Sequence, residues 1–234
     1  MSTVASLGTV LGVWAHPDDE TYLSGGLLAE LTDAGHRVVC VTATRGEAAD
    51  PHAQPAERAA LAATRSAELE GALAILGVTE HHWLDLPDGG CAGIDPEQPV
   101  TRLRALLDDV RPDTVLTFGP DGFTGHPDHR AVSAWSGLAV RRSAAAPRVL
   151  HAVRREKPVD PALDEDYGVF DLGLPRMCTD EEIALLRPLA SDVLDRKVEA
   201  LLSQVSQTAG LVEAVGVERF RAWVATECFA HPQT

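Results

Sequence analysis

The sequence predicts an α/β fold: a mostly parallel sheet covered by helices on both faces. Three observations predict it. Short apolar runs rich in β-branched residues alternate with longer stretches of helical spacing, as in successive βαβ units. Most of these runs lead directly into a polar cluster, which fits strands ending at one common edge. Finally, 234 residues, 45% of them hydrophobic, suffice for one large domain with its own core.

The elements follow in order. Residues 9–15 (TVLGVWA) read as a strand buried on both faces, because the run is apolar throughout. Residues 22–34 carry Leu23, Leu27, Leu28 and Leu31 at helical spacing, and Gly35 stands where a helix-ending glycine would. Residues 37–42 (RVVCVT) are the second strand, and 45–55 a polar loop. Residues 56–76 form a long Ala/Leu/Glu/Arg helix closed by Gly77. A third strand spans 82–86 and runs into the turn Pro87-Asp88-Gly89-Gly90. Residues 100–110 are a helix stopped by Arg111-Pro112. A fourth strand covers 114–118, a glycine-rich loop 119–125, a helix 128–142 and a fifth strand 149–153. The charged, proline-rich segment 154–180 reads as a variable loop region with a strand candidate at 169–172. Helices at 191–206 and 217–229 make up a C-terminal helical part, and the whole of 1–234 reads as one domain.

Composition narrows the function. Asp+Glu number 35 against Lys+Arg 20, a formal net charge of −15. Such a surface argues against nucleic acid or an anionic membrane as partner and suits a small molecule. The four cysteines (Cys40, Cys91, Cys178, Cys228) form no CxxC pair and read as buried free thiols of a reducing cytoplasm. The first residues carry no basic segment and enter a polar motif, so neither a signal peptide nor a membrane span is expected. Localisation is therefore expected to be cytoplasmic.

The chemistry gathers after the strands. His16-Pro17-Asp18-Asp19-Glu20 follows the first strand, Thr44-Arg45-Gly46-Glu47 the second, Asp85 and Asp88 the third, and His126-Pro127-Asp128-His129 the fourth. All four clusters fall on one sheet edge, where open parallel sheets bind ligands. Imidazole and carboxylate are zinc ligands, and a catalytic zinc keeps three protein ligands and one open position. His16, His129 and one carboxylate of the 18–19 pair could supply that set. The remaining carboxylate and His126 would then stand beside the metal as base and acid, the apparatus of hydrolysis. Each segment alone also fits a helix N-terminus, with an aspartate cap or with Pro127 in the first turn. His36, His52, His81, His82, His151 and His231 have no comparable setting and read as surface or packing residues.

AHPDDE at 15–20 and GHPDHRAV at 125–132 resemble the LmbE-like/PIG-L deacetylase family. That family includes N-acetylglucosaminyl-phosphatidylinositol de-N-acetylases and the bacterial deacetylases of mycothiol and bacillithiol synthesis. TRGE at 44–47, RSAELEGALAILG at 65–77, LDRKVEALLSQVSQ at 194–207 and ECF at 227–229 extend the resemblance over most of the chain. It implies a Rossmann-like three-layer sandwich and metal-dependent hydrolysis of an N-acyl group, usually on an amino sugar. It implies His16, Asp19 and His129 as ligands of zinc, with Fe(II) also accommodated by the same set. It further implies Asp18 as general base, and His126 as the group that steadies the oxyanion and protonates the departing amine. Asp128 is expected behind His16 or His126, and Arg65 and Asp88 are expected at the substrate. Two departures stand out: Gln204 occupies a place where many relatives carry histidine, and Tyr22 and Tyr167 are the only tyrosines for a role some relatives give to that residue.

Two neighbouring readings are an amidase of thiol-sugar conjugates and a natural-product deacylase with the same chemistry. A non-catalytic metal-dependent binding module is a third, though it would need neither Asp18 nor His126. A dinucleotide-binding protein would need a G-x-G-x-x-G turn after the first strand, which is absent.

Overall fold

A computed structural model describes residues 4–233. In chain order its first half runs β1 (Val10–Trp14), α1 (Asp19–Asp33), β2 (Val38–Thr44), α2 (Pro55–Leu76), β3 (Glu80–Leu86), α3 (Glu97–Val110) and β4 (Thr114–Phe118). Then come α4 (Gly122–Gly125), α5 (Pro127–Arg142), β5 (Arg148–Ala152), β6 (Arg154–Arg155), α6 (Pro161–Asp166) and β7 (Met177–Cys178). The chain closes with β8 (Ile183–Pro188), α7 (Ser191–Ser203), α8 (Val205–Val215), α9 (Val217–Trp223) and β9 (Thr226–Ala230).

The main sheet has the order β3-β2-β1-β4-β5-β9-β8. β1 through β5 run parallel, β9 is added antiparallel to β5, and β8 antiparallel to β9. β1, β2 and β4 are buried at every residue, which is why they read as unbroken apolar runs. Helices α1, α2 and α7 pack together in one layer, and α3 packs on α5 in another. The expected three-layer α/β architecture is what the chain adopts. Local signals end the helices where expected: Gly77, at φ 78, caps α2, and its N–H reaches the Leu73 and Ala74 carbonyls.

The topology places the site. From β1 the chain winds outward to β2 and β3, then returns to the other side of β1 as β4. β1 and β4 are therefore neighbours whose following loops diverge, which opens a crevice at their carboxyl ends. His16 to Asp19 leave β1 there, and His126 to His129 follow β4.

The C-terminal third departs from the sequence reading. The predicted helix over 217–229 stops at Trp223, and residues 226–230 form strand β9 between β5 and β8. β8, unrecognised in the sequence, is the edge strand and carries Arg187 and Pro188. Residues 169–172 are turn, not strand. The helix over 191–206 breaks at Gln204, whose ψ of 59 leaves the helical range. No helix of the described residues is long and apolar enough to cross a membrane. All four cysteines are buried free thiols.

A buried ion pair ties this third to the first helix. Lys197 of α7 (1% exposed) meets Glu227 of β9 (2% exposed) at 2.8 Å. Lys197 Nζ also donates to the Tyr22 carbonyl at 2.8 Å, and Glu227 accepts from the Gly26 and Leu27 N–H groups of α1 at 2.7 and 2.8 Å. Removing one partner strands the other charge in the core. Lys197→Met is therefore expected to cost about 3–5 kcal/mol of stability. Urea denaturation checks this, and a loss below about 1 kcal/mol would show that the pair is not a structural tie.

Candidate metal centre and active site

Asp19 is fixed first. As the opening residue of α1 it turns its carboxylate back on the strand end, where Oδ2 accepts from the Ala15 and His16 N–H groups at 3.2 and 2.8 Å. Asp18, just before it, adopts φ 131, a conformation that strains any side-chain-bearing residue. This backbone kink sends two adjacent carboxylates in different directions.

The histidine tautomers follow from their neighbours. His129 Nδ1 lies 2.9 Å from the Gly122 carbonyl, which only an N–H can approach, so its Nε2 is a bare lone pair. Its ring is stacked on Phe118, centroids 4.2 Å apart. His16 Nε2 lies 3.1 Å from Asp88 Oδ1 and 3.4 Å from Asp128 Oδ2, so the proton sits there and Nδ1 is bare in the neutral ring. His16 Nδ1 and His129 Nε2 face each other at 3.0 Å. Asp19 Oδ1 is 3.4 Å from His129 Nε2, and Asp19 Oδ2 is 3.6 Å from His16 Nδ1.

Three electron-pair donors thus converge. Tetrahedral zinc with bonds of about 2.0–2.2 Å separates its ligand atoms by about 3.3–3.6 Å, close to the spacing found. Burial favours neutral His16, but its hydrogen bonds to Asp128 and Asp88 and the charge of Asp19 outweigh burial and raise its pKa to about 10. Burial pushes His129 the other way, down to about 4. The residues fit a divalent cation.

Around this centre each partner has a contact. Asp128, fully buried, accepts from the Gly89 and Cys91 N–H groups at 2.8 and 3.1 Å and so braces His16. Asp88 accepts from the Ala48 N–H at 2.7 Å besides meeting His16. Burial would raise both carboxyls, yet the His16 imidazole beside them holds both below the usual range. Asp88 lines the cavity, and its carboxylate also stands 3.1 Å from His16 Nε2. Arg65 also lines the cavity. It is 6% exposed, and Nη1 donates to the Gly46 carbonyl at 2.8 Å and Nη2 to the Pro17 carbonyl at 3.1 Å. It clasps the loops after β1 and β2 together, and its guanidinium stands 3.6 Å from Asp18. Burial, then the charge of Asp19, lifts the Asp18 carboxyl to about 8, although Arg65 pulls against them. His126 caps α5, where Nδ1 accepts from the Asp128 N–H at 3.2 Å, so the neutral ring keeps its proton on Nε2. Burial and the nearby His16 lower its pKa.

His16, Asp18, Asp19, Arg65, Asp88, His126 and His129 all line one cavity of about 640 Å³. Asp128 stands behind it, and Gln204, 1% exposed with no hydrogen-bond partner for its amide, does not line it. Sequence reasoning missed the cavity walls. Tyr22 lines the cavity together with Phe123, Phe170 and Trp223.

One glycine shapes the site. Gly125, at φ +79, lies against the backbone of Leu172 and Gly173, and a Cβ there would meet the Leu172 carbonyl at 2.4 Å. Gly125→Ala is expected to cost more than about 1 kcal/mol and to displace His126. Urea denaturation checks the first effect and loss of activity the second.

Fold and site together define an α/β protein with a candidate metal centre at the topological switch point of its sheet. Residues 11–140 match the family model PIG-L, described as GlcNAc-PI de-N-acetylase. The chain belongs to this family. It is 33% identical over 195 residues to a 1D-myo-inositol 2-acetamido-2-deoxy-alpha-D-glucopyranoside deacetylase of Kineococcus radiotolerans, covering 66% of this chain and 54% of that one. The chain thus spans about half the length of that relative. Among solved structures it is similar to the N,N'-diacetylchitobiose deacetylase of Pyrococcus horikoshii, with TM-score 0.66, 21% identity and coverage of 94% and 82%. It is similar also to GalB, the 4-carboxy-2-hydroxymuconate hydratase of Pseudomonas putida, with TM-score 0.68, 20% identity and coverage of 97% and 98%. At these identities the structures speak for the fold alone. Since a deacetylase and a hydratase share it, the reaction has to be argued from the site.

Proposed function

We propose that this chain is a metal-dependent N-deacylase that removes an acetyl group from an amino sugar or a related small metabolite. The observation that carries the reading is the convergence of His16 Nδ1, His129 Nε2 and the Asp19 carboxylate beside Asp18 and His126. The N,N,O donor set suits zinc, and Fe(II) fits the same ligands. When bound, such a cation would polarise the acyl carbonyl and sharpen the acidity of water.

The protein's own groups do the rest. Asp18, beside the ligand-bearing Asp19, takes a proton from the attacking water. Arg65 holds the loop that carries it. The His126 Nε2–H donates to the oxygen that becomes negative as water adds to the carbonyl. The carbon–nitrogen bond then breaks. The proton held by Asp18 passes to the departing amine, leaving a carboxylic acid and a free amine. His126 serves as the oxyanion donor in this scheme, its Nδ1 accepting from the Asp128 N–H. Asp88 and Asp128 keep His16 in the tautomer that points its lone pair at the cation.

The net charge of −15 suits a small-molecule substrate over nucleic acid, and four buried free thiols suit a reducing cytoplasm. The test is acetate release by the zinc-loaded protein from N-acetylated amino sugars and their conjugates, with N-acetyl amino acids as controls. Release from the amino-sugar series is expected. A zinc-bound protein that releases acetate from none of them would overturn the reading.

A further inference from the structure

The loop between β4 and α5 carries a strained residue that the hydrolytic chemistry does not use. Phe123 adopts φ 62 and ψ −55, inside the short α4. A bulky side chain at positive φ is an uncommon and costly conformation, so its surroundings must hold it there.

Asp121 does the holding. Its Oδ1 accepts from the Phe123 N–H at 2.6 Å. The Gly122 N–H donates to the Gly119 carbonyl at 2.9 Å, and Arg130 Nε donates to the Asp121 carbonyl at 3.2 Å. Gly122, at φ +74, has no room for a side chain, since a Cβ there would meet Arg130 Cγ at 2.9 Å and His129 Cβ at 3.1 Å. The start of α5 is thus pressed against this turn.

An aspartate bonded to an N–H two residues on is an ordinary turn device. What sets this one apart is the other end of the same peptide unit. The Phe123 N–H and the Gly122 carbonyl belong to one planar group and point in opposite directions. That carbonyl lies 2.9 Å from His129 Nδ1, whereas Thr124 Oγ1 stands farther off at 3.3 Å. Asp121 therefore grips one end of the peptide and His129 the other. Rotating the peptide would relieve Phe123 and turn the carbonyl away from the histidine. A carboxylate on the N–H also draws charge toward the carbonyl oxygen, which strengthens the bond that oxygen accepts.

We propose that Asp121 is a positioning residue for the metal centre. Through the Gly122–Phe123 peptide it fixes the ring and tautomer of His129, so that Nε2 stays a bare lone pair facing His16 and Asp19. This rests on the reading of His129 as a ligand of the bound cation. It places a carboxylate behind His129, as Asp88 and Asp128 stand behind His16.

The test uses the full chain and zinc alone. Zinc affinity is measured by competition with a chelator. The His129 Nδ1–H is followed by NMR as a slowly exchanging ring proton of the zinc-bound protein. Asp121→Ala is expected to weaken zinc binding about tenfold, the lower end of the range for outer partners, and to lose that resonance to exchange with water. Asp121→Asn, whose side-chain oxygen can accept the same N–H, should restore the resonance and most of the affinity. A merely structural role would lower the melting temperature of Asp121→Ala and leave resonance and affinity in place, and that result would overturn the proposal. So would an Asp121→Asn protein as impaired as Asp121→Ala. The unaltered protein supplies a second measurement: exchange of the Phe123 amide should slow when zinc binds, because the coupling runs both ways. Equal exchange with and without zinc would overturn the relay even if Asp121→Ala fails to fold. None of these readouts depends on turnover. The expected results in a protein that hydrolyses no amide would support the relay and sink the deacylase reading instead.

Discussion

Asp18→Asn is expected to lower kcat by about 10²–10⁴-fold, the usual contribution of a positioned general base, with bound metal unchanged. Asparagine is the informative replacement for a structural reason. Asp18 sits at φ 131, and asparagine tolerates positive φ better than alanine does. It also keeps the shape of the side chain beside Arg65, so the substitution removes basicity and little else. KM should change little, because the carboxylate acts on the attacking water and not on the bound amide. Steady-state kinetics with metal analysis of the same sample checks both. An Asp18→Asn protein that retains full activity at normal metal content would remove Asp18 from the chemistry.

His129→Ala should act on the metal and not on the base. Losing Nε2 leaves His16 Nδ1 and Asp19 as a two-point site. Outer partners of a metal ligand typically contribute 10–100-fold in metal affinity, so losing a ligand itself should weaken binding by more than about 100-fold. Asp128→Asn, which removes the charge behind His16, should fall within the smaller range. The ordering of the two variants is the prediction, and metal affinity measured by competition with a chelator reads it. If Asp128→Asn weakened the metal more than His129→Ala, the assignment of inner and outer partners would be reversed.

Much of this molecule was legible in the sequence, and the reason is local. β1, β2 and β4 are buried on both faces, so their apolar runs carry no alternation to confuse them, and Gly77 ends α2 by its own φ preference. The polar clusters stand out because charge directly after a buried strand needs a use. What was not legible depends on distant partners. Glu227 sits in a buried strand because Lys197, 30 positions earlier, neutralises it, and no local pattern announces that. Residues 217–229 therefore read as one helix where the chain makes a helix and then a strand.

The site shows the same limit. Spacing brought His16, His126 and His129 to one edge, but the tautomers are set by the Gly122 carbonyl and by Asp88 and Asp128. Asp88 lines the cavity, but its contact with His16 depends on how the turn at 87–90 folds back, which spacing does not show. Arg65 lines the cavity, but its two Nη bonds to the Gly46 and Pro17 carbonyls depend on loops that spacing does not place. Phe170 lies in the segment where charges and prolines hid all periodicity, and Trp223 was read as part of a continuous helix.

The most direct test of the account is a zinc titration of metal-stripped protein, following acetate release from an N-acetylated amino-sugar substrate. The account predicts no release from the stripped protein and a linear rise that levels at one equivalent, with His129→Ala failing to rise in the same range. Activity in the stripped protein, or a His129→Ala titration indistinguishable from the natural sequence, would contradict it.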